Sequence, residues 1–283
     1  MSDSSQPMSR AEALAALSWQ LALGADEAIA AGPINRFEAA ARPALGNPAE
    51  PPPDPRQPKA LSPSSEAGVA PASGRPDGMA GTANAEALAA AAGDLAALRA
   101  AMAGFEGCAL KQTARSLVFA DGVPGAAVMI VGEAPGREED RQGMPFVGPS
   151  GQLLDRMFAA IGMSRRAETP DQGLYITNCL PWRPPQNRTP SDDEVAMMLP
   201  FLLRHIELAR PRVLVPMGTS AARLLLRTSS GITRLRGTWA EAVGRPALPL
   251  FHPAALLRDP GKKRDTWTDL RRLSAHLAGA GAG

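Results

Sequence analysis

Residues 127–136 read AVMIVGEAPG, an apolar run of five residues that ends in a turn rich in glycine and proline. A short apolar run of this kind is typical of a buried β-strand, which ends here at Gly132. The turn over residues 132–136 can present backbone N–H groups to a bound anion or carbonyl group. Most such turns only connect elements, so the turn alone is a weak indication of a site. It lacks the lysine of a nucleotide-binding P-loop and does not match GxGxxG.

The pattern of a strand followed by a helix recurs along the chain. Apolar segments predict further strands over residues 174–179, 212–217 and 247–251. Helical spacing or a capping box predicts helices over residues 153–161, 191–208 and 219–226. This alternation predicts the α/β class, with a mostly parallel sheet of four strands and helices on both faces. Ligands of such sheets bind beyond the carboxyl ends of the strands. Asn178, Gly218 and His252 each end or follow a strand, so they should converge there with the turn.

Composition divides the chain into regions. Ten prolines fall between residues 43 and 77, and a segment so poor in donors and apolar surface is predicted to be disordered. We therefore expect a linker over about residues 43–83, flanked by helices at 9–31 and 84–103. The whole chain is expected to comprise an N-terminal extension, a folded domain and a flexible tail, over residues 1–104, 105–276 and 277–283.

Charge is also divided unevenly. Residues 1–104 carry 7 Lys and Arg against 11 Asp and Glu, whereas residues 105–283 carry 23 against 17. Arginine binds phosphate in a bidentate manner, so the basic part favours a nucleic-acid partner, although a solvated arginine-rich surface explains the charge equally well. No apolar run reaches the roughly 18 residues of a membrane span. The two cysteines exclude a disulfide scaffold.

Two residues near the predicted edge are candidates for binding a planar ring. Phe146 lies in the glycine-rich loop GMPFVGPSG, where it either plugs the core or stacks on a ligand. Asn178 ends a strand, where it either caps a loop or offers a donor and an acceptor side by side. Such an amide matches O4 and N3–H of uracil, whereas cytosine presents the opposite pair.

His252 begins a segment with a second set of candidates, LFHPAALLRDPGKKR at residues 250–264. The following proline forces a turn that should expose the imidazole. An apolar tip flanked by cations can open a DNA duplex, and an amphipathic surface segment is the alternative. The candidate DNA-binding residues are Leu256, Leu257, Arg258, Lys262 and Lys263.

Three motifs, in this order, resemble the family 4 uracil-DNA glycosylases: VGEAPGREEDRQGMPFVGPSGQLLD, ITNCLPWRPPQNRTP and FHPAALLR. The resemblance extends from about Phe105 to Leu273. It implies a three-layer α/β/α sandwich and excision of uracil from DNA by hydrolysis of the N-glycosidic bond. It also implies uracil-containing DNA as partner, no membrane, a monomer, and a cytoplasmic, nucleoid-associated location.

The resemblance implies roles for single residues. The turn would hold uracil through its backbone, Phe146 would stack on the ring, Asn178 would read the polar edge, and His252 would lie near O2. The implied substrate-binding residues are Gly132, Glu133, Ala134, Phe146, Asn178, Asn187 and His252. The implied catalytic residues are Glu133, Glu139 and His252, with the two glutamates as alternative holders of the attacking water.

The chain departs from the family at its iron–sulfur cluster. Of the four cysteine positions, only Cys108 is kept; the others hold Phe105, Trp182 and Met198. One thiolate cannot hold a cluster, so we expect no metal and no other cofactor. The three large side chains are expected to pack as a hydrophobic plug, each stabilising the loops by roughly 1.5–3 kcal/mol.

Two other functions stay open from the sequence. One is a non-catalytic DNA-binding module on the same fold, which the complete set of candidate residues disfavours. The other is a nucleotide-binding enzyme that uses the glycine-rich turn for phosphate, which the missing P-loop lysine disfavours.

Overall fold

A computed structural model describes residues 78–280 of the chain. The predicted helix over 9–31 and most of the predicted linker lie outside these residues. No helix of the described part has both the length and the apolar character needed to cross a bilayer.

The described residues form a central sheet with helices on both faces. In chain order, the strands β1 to β6 are Asp121–Gly122, Val128–Gly132, Leu174–Asn178, Val213–Pro216, Ala240–Ala242 and Arg245–Ala247. The helices α1 to α10 are Gly78–Ala91, Leu95–Gly104, Leu110–Thr113, Arg137–Gln142, Pro149–Ala159, Asp192–Ala209, Thr219–Leu226, Ile232–Leu235, Pro253–Arg258 and Lys263–Ala280. Short 3₁₀ turns lie at Pro170–Gln172, Pro185–Asn187 and Pro260–Lys262.

The sheet has six strands in the order β1-β3-β2-β4-β6-β5. The four central strands are parallel, and β1 and β5 add antiparallel edges. The α/β sandwich prediction is confirmed, but the predicted count of four strands is wrong. The two edge strands have only two and three residues, too few to leave an alternating pattern in the sequence.

The last parallel strand begins earlier than predicted. β6 ends at Ala247, although Leu248 and Leu250 still donate backbone hydrogen bonds to β4, at 2.9 Å and 3.0 Å. This extended continuation brings the chain to His252 at the same edge as the end of β4. The predicted convergence of strand ends is therefore observed.

Alternate residues of β2 pack on opposite faces of the sheet. Val128 and Ile130 belong to one hydrophobic cluster, and Met129 and Val131 belong to another. All four side chains are fully buried. A strand covered on both faces explains why this segment is continuously apolar rather than alternating.

A third cluster joins the N-terminal helices to the rest of the described chain. Ala85 of α1 and Leu98 of α2 are buried against Met198 and Phe201 of α6. The single helix predicted over 84–103 is two helices, because Asp94 caps α2 by accepting a hydrogen bond from the backbone N–H of Ala97 at 2.7 Å.

Both predicted boundaries of the folded domain differ from the observed packing. α1 begins at Gly78, inside the predicted linker, and α1 and α2 share a core with residues that follow 105. The compact part therefore includes helices assigned from sequence to the extension. At the other end, α10 continues to Ala280 and so includes four residues of the predicted tail.

Candidate active site

A cavity of about 670 Å³ opens at the carboxyl edge of the parallel strands. Most of the residues predicted for the site line it, namely Glu133, Ala134, Glu139, Phe146, Asn178, Asn187, His252 and Arg258. They come from separate segments of the chain that meet at the strand ends. The placement follows from the parallel topology, as the sequence predicted.

Gly132 supports the cavity by its lack of a side chain. A Cβ atom built on Gly132 would lie 2.3 Å from Oδ1 of Asn178 and 2.8 Å from the Phe146 ring. The turn itself is tied to β3, since the backbone N–H groups of Cys179 and Leu180 donate to the carbonyls of Gly132 and Glu133. Glycine at this position lets two of the predicted binding side chains approach the turn closely.

Phe146 is held in an unusual backbone conformation. Its φ is +53°, in the left-handed region, where a bulky residue costs of the order of 1–3 kcal/mol. The side chain is buried in the main hydrophobic cluster and also lines the cavity. The ring therefore belongs to the core and also reaches the cavity wall, where stacking on a ligand stays a prediction.

Asn178 offers its amide to the cavity. The residue is buried, it ends β3 beside Gly132, and it lines the cavity. No residue within 78–280 forms a recorded hydrogen bond with its side chain. The donor and the acceptor of this amide are thus both available to a ligand, and a buried pair of this kind selects for a matching partner.

His252 is the N-cap of α9. Its Nδ1 accepts a hydrogen bond from the backbone N–H of Ala254 at 3.2 Å, so a neutral ring carries its proton on Nε2. The pKa of His252 is lowered to about 4, mainly by burial; Arg258 contributes to the lowering and Glu139 opposes it. At neutral pH the ring is therefore an uncharged donor.

The two candidate glutamates are placed differently. Oε1 of Glu139 accepts hydrogen bonds from the backbone N–H groups of Val147 and Gly148, both at 3.0 Å, so this carboxylate holds the loop that follows Phe146. Oε2 of Glu133 accepts from the hydroxyl of Ser220 at 2.5 Å. Oε1 of Glu133 has no hydrogen-bond partner within the described chain, and Glu133 is one of the residues that line the cavity.

Asn187 lies at the mouth of the cavity. It is exposed, and its Oδ1 accepts a hydrogen bond from Nε of Arg183 at 2.7 Å. Its φ of +55° follows a similar value at Gln186, so two consecutive residues adopt the left-handed conformation there. Asparagine tolerates that conformation better than most residues, which suits it to this turn.

The candidate DNA-binding residues do not all lie at the surface. Leu256 is 1% exposed and packs with Leu153 and Phe251, so its assignment to an apolar tip is wrong. Leu256 and Leu257 are neighbours on a helix, so their side chains point in different directions. Only Leu257 is exposed, at 44%. The apolar tip therefore consists of Leu257 alone.

The three candidate DNA-binding cations of that segment have different surroundings. Arg258 is exposed and lines the cavity. Lys262 pairs with Asp259 at 3.0 Å and lies over the Phe251 ring. Lys263 is exposed at the start of α10. Arg258 and Lys263 are thus the cations best placed to meet a polyanion.

Sequence reasoning missed two residues that shape the site. Ser220 lies in the first turn of α7, directly after β4, so the rule that strand ends form the site gave a usable signal for it. Arg165 is buried in a connection after α5 and donates to the carbonyls of Pro145 and Phe146. No motif surrounds Arg165 in the sequence, so only the structure could identify it.

The residues at the family's cluster positions do not fit a four-thiolate metal group. Phe105, Trp182 and Met198 are buried together with Cys108 in one hydrophobic cluster, and the Phe105 ring meets Phe201 edge-on at 5.3 Å. Burial raises the pKa of the Cys108 thiol, which disfavours the thiolate that a metal requires. Among residues 78–280, no three His, Cys, Asp or Glu side chains group in a way that could hold a metal ion.

The fold and the site define a known class of protein. The family model for the uracil DNA glycosylase superfamily matches residues 119–271, more than half of the chain, and the chain belongs to this superfamily. Within it, the chain is similar to type-4 uracil-DNA glycosylases. The type-4 enzyme of Archaeoglobus fulgidus is 36% identical over 176 residues, which cover 59% of this chain and 84% of the relative.

Two further relatives support the same placement. The type-4 uracil-DNA glycosylase of Thermotoga maritima is 36% identical over 154 residues, covering 54% of this chain and 77% of the relative. The type-5 uracil-DNA glycosylase of Pyrobaculum aerophilum is 31% identical over 166 residues, covering 54% of this chain and 73% of the relative. The resemblance to the type-4 family drawn from the three motifs is thereby confirmed.

Proposed function

We propose that this protein excises uracil from DNA by hydrolysing the N-glycosidic bond and so starts base excision repair. The observation that carries the proposal is the free amide of Asn178 in a cavity that also contains Phe146 and His252. The relatives named as uracil-DNA glycosylases support the same activity. The substrate is uracil-containing DNA, and the protein acts as a monomer in the cytoplasm.

Base selection rests on Asn178. Its N–H donates to O4 of uracil and its Oδ1 accepts from N3–H, while Phe146 stacks on the ring. Cytosine presents a donor and an acceptor in the opposite order, which would leave both amide groups unpaired. An unpaired buried donor or acceptor costs about 1–3 kcal/mol, so two of them give strong discrimination.

Bond cleavage rests on a neutral His252. The bond between N1 of uracil and C1′ of the sugar breaks, and its electron pair stays on uracil, where negative charge develops at O2. The Nε2–H of His252 and the backbone N–H groups of the turn at 132–136 donate to that anion. Removing one such donor typically costs about 10²–10³ in rate, so a donor preset in the cavity makes a large contribution.

The sugar is left with positive charge, and water completes the reaction at C1′. We assign the water to Glu133, because one of its oxygens is fixed by Ser220 and the other has no recorded partner in the described chain. Oε2 of Glu139 likewise has no hydrogen-bond partner in the described chain, but the two backbone hydrogen bonds at its Oε1 give that carboxylate a structural role in the loop after Phe146, so we prefer Glu133. The proton lost from water passes to Glu133, and uracil leaves as the anion or takes a proton from solvent.

DNA binds along the cavity mouth. Arg258 and Lys263 contact phosphates, and Leu257 takes the space of the extruded base. No step of this mechanism uses a metal, and the residues at the cluster positions form an apolar plug whose side chains do not fit one. Phe105, Trp182 and Met198 then stabilise the loops that a cluster would otherwise tie together.

A glycosylase assay tests the proposal with labelled DNA that carries uracil opposite guanine, opposite adenine and in a single strand. Release of free uracil, with an abasic site left in the DNA, supports the proposed activity. Binding of DNA without release would favour a non-catalytic module. Tight binding of a mononucleotide without either result would favour a nucleotide-binding enzyme.

A further inference from the structure

Two side chains of opposite charge hold the backbone at Phe146. On one side, the guanidinium of Arg165 donates from Nη1 to the carbonyl of Pro145 at 3.0 Å and from Nη2 to the carbonyl of Phe146 at 2.9 Å. On the other side, Oε1 of Glu139 accepts from the N–H groups of Val147 and Gly148. The three successive peptide groups between residues 145 and 148 are thus each fixed by a hydrogen bond.

Arg165 is itself held in place by two carboxylates outside the loop. Its side chain is 7% exposed, its Nε donates to Asp155 at 2.8 Å, and its Nη1 donates to Asp121 at 3.0 Å. Asp155 belongs to α5 and Asp121 to β1, so the arginine joins a helix and an edge strand to the loop. Two carboxylates balance its buried charge, and its planar donors are aimed at two successive carbonyls.

The conformation that Arg165 holds is one that Phe146 would not adopt unaided. A φ of +53° is unfavourable for a phenylalanine and persists only where the surroundings enforce it. The close approach of α5 adds to this enforcement, because a Cβ on Gly151 would lie 1.8 Å from the carbonyl oxygen of Phe146. The resulting ring position brings Phe146 beside His252 in the cavity wall.

We propose that Arg165 is a positioning residue for base excision, which acts through the main chain of Phe146 to preset the stacking ring against the base. The proposal rests on the proposed function for its catalytic consequence. Its structural content, that Arg165 sets the placement of the Phe146 ring, can be measured without any substrate.

The chain provides a matched control in the next residue. Arg166 pairs with the same carboxylate, Asp121, at 2.9 Å, but it is exposed and has no recorded contact with the loop at Phe146. Arg165→Met removes the donors to both carbonyls and keeps an unbranched side chain. Arg165→Lys keeps the charge beside Asp121 and Asp155 but lacks the planar donors that reach both carbonyls. It replaces Arg165→Met in the experiment if that variant does not fold.

The first measurement is the proton NMR spectrum of the histidine rings. The chain has three histidines, and a His252→Gln variant assigns the resonances of His252. Phe146→Ala should move these resonances because it removes the neighbouring ring. Arg165→Met, or Arg165→Lys, should move them in the same direction, and Arg166→Met should leave them unchanged. Resonances of His252 that do not respond to either change at Arg165 in a folded protein would overturn the proposal.

The second measurement is a double-mutant cycle on the single-turnover rate of uracil release. Arg165→Met should slow release about tenfold or more in the wild-type background, which corresponds to about 1.4 kcal/mol, and less than about twofold when Phe146 is already alanine. An equal loss in both backgrounds would show that Arg165 acts independently of Phe146 and would contradict the proposal. Failure of the wild-type protein to release uracil would instead refute the proposed function, while the NMR comparison would still decide the role of Arg165.

Discussion

The Phe146 ring lies 5.3 Å from the His252 ring, measured between centroids, with an angle of 28° between the two planes. Phe146 comes from the loop before α5, and His252 caps α9. Their stacking joins the residue proposed to bind the base to the residue proposed to stabilise the leaving anion. The same contact helps to bury His252, and burial is the main reason why its pKa is low.

The neutral state of His252 predicts how stability depends on pH. With a folded pKa of about 4 and an ordinary value of about 6.5, the unfolded chain binds a proton that the folded chain does not between these two values. The contribution of His252 to the free energy of unfolding should therefore be fully present above pH 6.5. It should be lost as the pH drops toward 4, by up to about 3 kcal/mol.

Chemical denaturation at several pH values measures this dependence, with His252→Gln as the comparison. The variant should lose less stability than the wild type over the same range of pH. His205 contributes a similar loss in both proteins, because burial lowers its pKa to about 3. An identical decline in the two proteins would mean that His252 is not buried in its neutral form.

Gly132 predicts a steric effect on base binding. In Gly132→Ala the new methyl group would lie 2.3 Å from Oδ1 of Asn178, so it should displace the amide and reduce uracil release by at least about 10²-fold. Gly93→Ala is the matched control, because its Cβ would have no neighbour within 4 Å. Single-turnover rates of the two variants provide the comparison, and equal rates would remove Gly132 from the site.

The buried face of α1 and α2 predicts where the chain can be shortened. Removal of residues 1–77 keeps both α1 and α2 with their buried face, so it should lower the melting temperature less than a longer truncation does. Removal of residues 1–104 also deletes Leu98 and Met102, each of which contributes roughly 1.5–3 kcal/mol when buried, and it exposes Phe105. Thermal melts of both truncations and of the full chain test the boundary. Equal melting temperatures for the two truncations would contradict the shared core.

The plug at the cluster positions predicts a protein without iron. Purified protein should have no visible absorption from an iron–sulfur group, should contain less than one iron per chain, and should keep its activity after chelation. Trp182→Ala should lower the melting temperature, because truncation of a buried tryptophan typically costs about 3–5 kcal/mol. Iron analysis and absorption spectra provide the measurement, and a brown protein with about four irons per chain would refute this prediction.

Much of the fold and of the site followed from sequence, for identifiable reasons. The strands β2, β3 and β4 were predictable because they are buried on both faces and leave nearly continuous apolar runs. The fourth parallel strand, β6, begins with Arg245 and Pro246, so the sequence indicated only its buried continuation over residues 247–251. The carboxyl ends of these segments fixed where Asn178 and His252 would meet. The edge strands β1 and β5 were not predictable, since two or three residues carry no period. The burial of Leu256 beside the exposed Leu257 depends on the orientation of α9 on the core, which local sequence does not determine.

The hydrogen bonds that position the site residues could not be predicted from the sequence either. Arg165 reaches Phe146 across 19 positions of the chain, and Glu133 reaches Ser220 across 87. Such pairs form only when separate elements pack, so a pattern in either segment cannot reveal them. Glu139 shows the same limit: the family resemblance implied a carboxylate beside the pocket, but its hydrogen bonds to the loop came only from the structure.

The central claim is that the Asn178 amide selects uracil, and Asn178→Asp tests it most directly. The change keeps the size of the side chain and replaces a donor with an acceptor, so an ionised Asp would repel O4 of uracil. His252→Ala is the control, because it should slow cleavage without changing which base is chosen.

The measurement is the single-turnover rate of base release from DNA containing uracil or cytosine, with folding checked by thermal melts. We predict that Asn178→Asp slows uracil release by at least about 10²-fold and shifts the ratio of rates toward cytosine, while His252→Ala keeps the ratio of the wild type. Uracil release by Asn178→Asp at nearly the wild-type rate would contradict the account.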